Sequence, residues 1–366
     1  MKKIITLHPV YNLERWYFNR DVWQIWYIFR KKRWYDAEVW CLKNKWQENF
    51  EIKWQQWRWF ENIFKLYFTL FKESKNIDLL HMYHIWRFSL IWAIIYKLRN
   101  QKWKIYIKMD TPLIIENIDN RHQLKKIPKF IMILFLKLID YIWFEDKKLQ
   151  KFMKDLYPKY RDKFILTTSW AVNIPKFIWN IEKENIISLC GRFWSEQKNN
   201  ELLLDVLERY NISFLVWYKI QLIWSLTDDF LKKIDDLLIK KPMLKEIIVQ
   251  VWFLDKKEEL YHFLSRTKIF LHTANYEWDP NVQYDSMFCG CYMISTDVAN
   301  IKQNYPKKYS IFYDIKYEVW LYNSLKQWIE INNTLQAQDY INIQNYCLEN
   351  FTREESLQEL TNRLWI

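Results

Sequence analysis

The sequence predicts an α/β protein of two parallel-sheet domains, and three observations carry that prediction. Short apolar runs of β type alternate with longer amphipathic segments, the pattern of successive βαβ units. The 366 residues suffice for two cores of ordinary size. A connection over Ala171–Asn185, with Pro175 and a mixed polar run, separates one such series from a second.

The first series starts with a strand at Ile4–Leu7. The segment MKKIITLHPV around it lacks the long apolar region of a secretory signal, so a cytoplasmic protein is expected. Further strands are expected at Ala37–Cys41, Leu79–Met82, Ile105–Lys108 and Tyr141–Phe144. Between them lie helical stretches at Val22–Arg33, Phe60–Ser74 and Ser89–Arg99, with apolar residues every three or four positions. The most apolar window, Phe130–Phe144, is interrupted by Lys137 and Asp140. It falls short of the roughly 20 residues that span a bilayer and reads as a helix followed by a strand.

The second series has strands at Ile186–Cys190, Ser213–Tyr218, Glu246–Val251, Ile269–His272 and Tyr292–Ser295. Helical runs separate them at Asn200–Arg209, Leu226–Lys240, Lys257–Ser265 and Val282–Phe288, and Glu354–Leu364 is a last amphipathic helix. The strands are mostly apolar, as expected where helices cover both faces of a sheet. The resulting domains are 1–172, 186–345 and a C-terminal helix within 346–366.

Glycine averages about 7% of residues in soluble proteins, yet this chain has two glycines and 23 tryptophans. An α/β protein needs glycine at tight turns and helix ends. Trp34, Trp103 and Trp217 stand where a turn or strand end favours glycine, and Trp16, Trp46 and Trp194 lie in polar surroundings. These positions predict that many of the tryptophans are UGA codons read as glycine in the cell.

Charge is uneven. Residues 1–176 hold 34 Lys and Arg against 17 Asp and Glu, a net of +17, and the remainder holds 21 against 26, a net of −5. A basic half predicts an anionic partner, with lysine-rich surface decoration as the plainer alternative. The five cysteines form no C-x-x-C pair, so neither a disulfide framework nor a zinc site is expected.

Ligands of open α/β sheets bind at the carboxyl ends of the strands. The loop CGRFWSEQKNN follows one such strand and leads into a helix, so Arg192 and Lys198 can aim two cations at one anionic group. The loop HTANYEWDPNVQYD follows another, with Glu277 and Asp285 separated by seven residues and a helix starting near Asn281 and Val282, whose first amides point back at the loop. Each feature alone is better read as ordinary surface or helix-cap chemistry.

Together, in this order, they resemble glycosyltransferase family 4, a group of retaining enzymes of the GT-B fold. Gly191-Arg192 with Lys198 looks like the family's G-R…K element, and Glu277 through Asp285 resembles its E-x7-E motif, with Asp in place of the second Glu. VWFLDKKEELYHFLSRTKIFLHTA and CGCYMISTD are similar to further family segments when Trp252 is read as glycine. The resemblance implies two Rossmann-like domains facing across a cleft, with the C-terminal helix crossing back to the first.

It further implies that Arg192 and Lys198 clamp a donor diphosphate, that Glu277 with Asn281 and Val282 holds the donor sugar, and that Asp285 binds the ribose. Glu277, His84, Arg192 and Lys198 are then the catalytic candidates. The loop containing Asn12 and the strand-end residue Asp110 lie on the acceptor side, and His81 shares the segment of His84. No metal ion and no cofactor beyond the nucleoside-diphosphate sugar are implied. A glycan or lipid-linked acceptor at an anionic membrane surface fits the basic first domain, and no nucleic acid is expected as partner, since no nucleic-acid-binding motif is present. The alternatives are another GT-B enzyme, an inverting transferase or epimerase, and a non-catalytic basic protein that binds nucleic acid.

Overall fold

The computed structural model describes residues 2–8, 36–42, 56–83, 87–109, 128–145, 147–166, 181–252, 254, 257–277, 280–298, 301–314, 317–351 and 362. The chain divides into Met1–Thr168 together with Ser356–Ile366, and Ser169–Glu355. The helical stretches expected at Val22–Arg33 and Glu354–Leu364 fall outside the described residues or almost wholly so.

The first unit contains strands β1 (Lys3–His8), β2 (Asp36–Leu42), β3 (Gln56–Phe60), β4 (Leu79–Tyr83), β5 (Lys104–Met109), β6 (Tyr141–Phe144) and β7 (Phe164–Leu166). Its helices are α1 (Ile63–Glu73), α2 (Arg87–Arg99), α3 (Lys129–Leu138) and α4 (Lys147–Leu156). The strands form one sheet in the order β3-β2-β1-β4-β5-β6-β7, parallel throughout. Every step from β3 to β7 passes through a helix, and right-handed crossovers put α1 to α4 on one face. Leu66 and Leu70 of α1, Trp92 and Tyr96 of α2 and Met132 and Leu136 of α3 share a core with Ile5, Leu80, Ile107 and Ile142. The expected helix Phe60–Ser74 is shorter than the pattern suggested. Phe60 ends β3, and the helix starts after Asn62, whose side chain accepts from the Lys65 amide.

The second unit runs β8 (Glu184–Cys190), α5 (Glu201–Arg209), β9 (Lys219–Ile223), α6 (Asp228–Lys240), β10 (Ile248–Val251), α7 (Lys257–Arg266), β11 (Thr267–His272), α8 (Asn281–Phe288), β12 (Tyr292–Thr296), α9 (Ile301–Asn304), β13 (Ser310–Tyr313), α10 (Glu318–Asn332) and α11 (Ala337–Asn350). Its six strands lie in the order β10-β9-β8-β11-β12-β13, also all parallel. The strand expected at Ser213–Tyr218 is instead a 3-10 turn over Ser213–Leu215 leading to β9. β9 is flanked by β8 and β10 and needs the apolar run Ile220–Ile223, whereas Trp217 is 81% exposed. Likewise Pro242–Glu246 forms a 3-10 turn, and β10 begins at Ile248. All five cysteines are free, and four of them are buried.

Candidate active site

In doubly wound sheets a ligand site forms where the strand order reverses. In the second sheet that point lies between β8 and β11, paired through Ile187 with Ile269 and Leu189 with Leu271. The loops leaving their carboxyl ends are the two that carry Arg192, Lys198 and Glu277.

Gly191 turns the chain out of β8 with φ +154°, a conformation that disfavours any side chain. The aliphatic stem of Lys198 lies over it, with carbons 3.6 Å from where a Cβ would stand. Asn199 takes a left-handed φ of +46°, which asparagine tolerates, before α5 begins. The second loop is fastened to the first by three bonds of 2.8 Å. The Asn275 amide donates to the Gln197 carbonyl, the Asn275 side chain to the Glu196 carbonyl, and Thr273 Oγ1 to the Lys198 carbonyl.

This stapling brings together side chains about 80 residues apart in sequence. Lys198 Nζ bonds directly to Glu277 Oε1. Gln197 Nε2 donates to Glu277 Oε2 and to the Tyr276 carbonyl, each at 3.2 Å, while its Oε1 accepts from Arg192 Nη2 at 2.8 Å. One neutral amide therefore ties Arg192 to the acid that Lys198 also holds. His272, the last residue of β11, is buried with Nδ1 3.1 Å from Ser295 Oγ and Nε2 3.7 Å from Glu277 Oε1.

Burial alone would raise the Glu277 carboxyl, but Lys198 and His272 outweigh it and hold the group at about 2. Burial pushes the His272 imidazole below its ordinary value, against the pull of Glu277. A histidine kept neutral contributes little charge at pH 7, so Lys198 is the cation that keeps Glu277 ionised there.

Pro280 precedes α8 with φ −70°, ready for the helix that Asn281 and Val282 begin. The first turn of α8 contains no acidic residue to compete for its amides. Asn281 Oδ1 is buried without a hydrogen-bond partner. Asp285, the residue that the resemblance assigns to the ribose, is buried against α7. Its Oδ1 accepts from Tyr261 Oη at 3.0 Å and pairs with Lys257 Nζ at 2.9 Å. From Gln283 to Phe288 the helix is wholly buried, and a carboxylate there requires such donors.

Asn12, His84 and Asp110 lie outside the described residues. His81 lies within β4, with Nδ1 3.3 Å from Thr6 Oγ1 and its ring stacked on Tyr106 at 4.8 Å. Farther along the same sheet the buried Lys108 and Glu145 pair at 2.6 Å. Sequence reasoning did not single out Gln197, His272, Lys257 or Tyr261. Gln197 stood inside the quoted motif but is uncharged, and the other three gain meaning only from packing across β11, α7 and α8. Among the described residues no cluster of three His, Cys, Asp or Glu could hold a metal ion.

No protein-family model matches the sequence, and no curated protein matches it. Solved structures do match over the whole chain. HepE of Anabaena in complex with UDP superposes with a TM-score of 0.74 at 12% identity, covering 100% of this chain and 99% of that one. Sucrose-phosphate synthase of Thermosynechococcus elongatus gives 0.67 at 14%, and the lipopolysaccharide outer core galactosyltransferase WaaB gives 0.68 at 14%, each with the same coverage. At these identities the likeness establishes the architecture, and that architecture is the GT-B fold of two parallel-sheet α/β domains.

Proposed function

We propose that the protein is a retaining glycosyltransferase that moves a sugar from a nucleoside-diphosphate sugar to a glycan or lipid-linked acceptor. The observation that carries this reading is the joined cluster Arg192–Gln197–Glu277–Lys198 at the switch point of the second sheet. Two cations beside a helix N-terminus suit a diphosphate, and they would stabilise the charge that grows on it as the glycosidic bond breaks. Glu277, ionised throughout the physiological range, would accept from donor-sugar hydroxyls, with the Asn281 and Val282 amides beside it. Asp285 has Oδ1 engaged by Tyr261 and Lys257, so Oδ2 is the atom that would accept from the ribose. The match to HepE bound to UDP, and to UDP with glucose, supports a donor of this class.

His84 would approach the donor sugar, and Asn12 and Asp110 would border the acceptor. Because Arg192 and Lys198 supply positive charge, no divalent ion is required in this scheme. The basic first half suits an acceptor presented at the cytoplasmic face of an anionic membrane. Substituting Arg192→Ala or Glu277→Ala should lower sugar transfer, or donor hydrolysis, by about a hundredfold or more, the usual scale for one charge-stabilising group. Unchanged turnover in both variants would dismiss the site, and activity that a chelator abolishes and Mg²⁺ restores would dismiss the metal-free scheme.

We also infer that many tryptophans are glycines in the protein the cell makes. Trp224 has φ +149°, a region that L side chains rarely enter, and Trp194, Trp217 and Trp252 are exposed in turns or at strand ends. Trp40, Trp92, Trp143 and Trp328 fill the cores completely. Glycine in their place would leave cavities and weaken helices and strands. The gene should therefore read UGA at 194, 217, 224 and 252 and UGG at the four core positions. UGG at all eight sinks the idea.

A further inference from the structure

The outer surface of the first unit's helical layer does not have the polar character of an ordinary solvated face. Positions 64, 65, 68, 71, 72 and 75, on α1 and the turn that follows, point away from the core and hold three Phe and three Lys. Phe64 is 77% exposed and Phe68 69%. The surface continues sideways, because α2 and α3 lie on the same face of the sheet. Leu98 at 68% and Phe130 at 71% carry it across, and the Arg99 guanidinium lies 4.7 Å over the Phe71 ring. α4, next on that face by the same crossovers, presents Lys147, Lys151 and Lys154 in one line. None of these side chains is a tryptophan, so the surface is the same whichever way those codons are read.

We propose that the outer face of α1, α2 and α3 seats on an anionic lipid bilayer, its phenylalanines and leucine entering the boundary between headgroups and acyl chains. Aromatic and aliphatic groups interleaved with lysine and arginine match that boundary, where apolar burial and attraction to anionic lipids act together. A nucleic acid would satisfy the cations but leave Leu98 and the aliphatic surface in water. A second copy related by a two-fold axis would bring the same cations against each other. Phe64 and Phe130 lie in the first turns of α1 and α3, at the carboxyl edge of the sheet where open α/β sheets take their ligands. A lipid-linked acceptor would thus be met where it leaves the membrane.

This inference rests on the membrane part of the reading above and is independent of the transferase chemistry. The full chain is co-sedimented with vesicles of phosphatidylglycerol and phosphatidylcholine, and with phosphatidylcholine alone. Wild type should bind the anionic vesicles. Phe64→Ser with Phe68→Ser, and separately Lys72→Glu with Lys75→Glu, should each weaken that binding about tenfold or more. Ile239→Ser, at an exposed position on α6, should leave it unchanged, and all variants should retain the thermal shift that UDP gives wild type. Failure of wild type to bind either vesicle overturns the membrane reading together with this surface. Wild-type binding that the Phe and Lys variants keep leaves the membrane reading standing and overturns this surface. A lipid-free dimer that Phe64→Ser with Phe68→Ser dissolves, with vesicle binding intact, assigns the face to a second copy and equally overturns it.

Discussion

At the scale of single residues the strongest statement concerns Glu277. Its carboxyl is held at about 2, against 4.5 for an ordinary glutamate, by Lys198 and His272. A depressed folded-state pKa contributes stability above the unfolded value and loses it as pH falls through the folded one. The second unit should therefore lose about 3 kcal/mol between pH 4.5 and pH 2, since each tenfold change in a protonation equilibrium is worth about 1.4 kcal/mol. Urea unfolding across that range checks the figure, and Glu277→Gln should flatten the slope. An equally steep slope in that variant would show that other carboxylates are responsible. Arg192, Lys198 and Glu277 were singled out in the sequence because their order along two strand-end loops resembles a family pattern, since each charge alone reads as ordinary surface or helix-cap chemistry. Gln197 and His272 were not, because their roles exist only once two loops about 80 residues apart are stapled through Asn275 and Thr273.

At the scale of elements, legibility followed position in the sheets for most strands, with β9 and β10 as the exceptions. β1, β4, β5, β6, β8, β11 and β12 are interior strands with apolar runs, and the sequence pattern finds each within about two residues. Of the strands it misses, β3, β7 and β13 are at sheet edges, where a neighbour covers one side only and a short run carries little apolar signal, whereas the interior β9 is displaced from the expected Ser213–Tyr218 to Lys219–Ile223. Arg58 on β3 illustrates this, since it pairs with Glu73 and lies over the Trp40 ring instead of entering a core. The joint between α8 and β12 depends on Gly290, with φ +71°. A Cβ there would stand 2.7 Å from the Tyr340 carbonyl oxygen, so α11 packs directly on the glycine backbone. Gly290→Ala combines a left-handed backbone with an overlap against rigid main chain, and should cost the second unit about 2–4 kcal/mol. A shift in the urea midpoint measures it, and a loss below about 0.5 kcal/mol would mean that α11 yields freely.

At the scale of the whole molecule, the two parallel sheets have separate cores that, among the described residues, share no residue. The charge separates with them, the basic excess lying in the first half and a small acidic excess in the second. Both facts allow donor binding to be located without knowing the sugar. A ligand that binds only the folded state stabilises the unit that holds it, by about 2.7 kcal/mol at a hundred times its Kd. Two cores need not unfold in one transition, and each then reports its own ligands. UDP should raise the melting of Ser169–Glu355 by about 5–10 °C, at roughly 2–4 °C per kcal/mol for a unit of this size. The melting of the first unit should stay where it is, since Arg192, Lys198, Glu277 and the start of α8 all belong to the second. Arg192→Ala should remove most of the shift while leaving both ligand-free transitions unmoved, because Arg192 contacts Gln197 at the loop surface and fills no core. Differential scanning calorimetry of the full chain decides the matter: equal shifts in both transitions, or none in the second, would remove the nucleotide from the β8–β11 switch point.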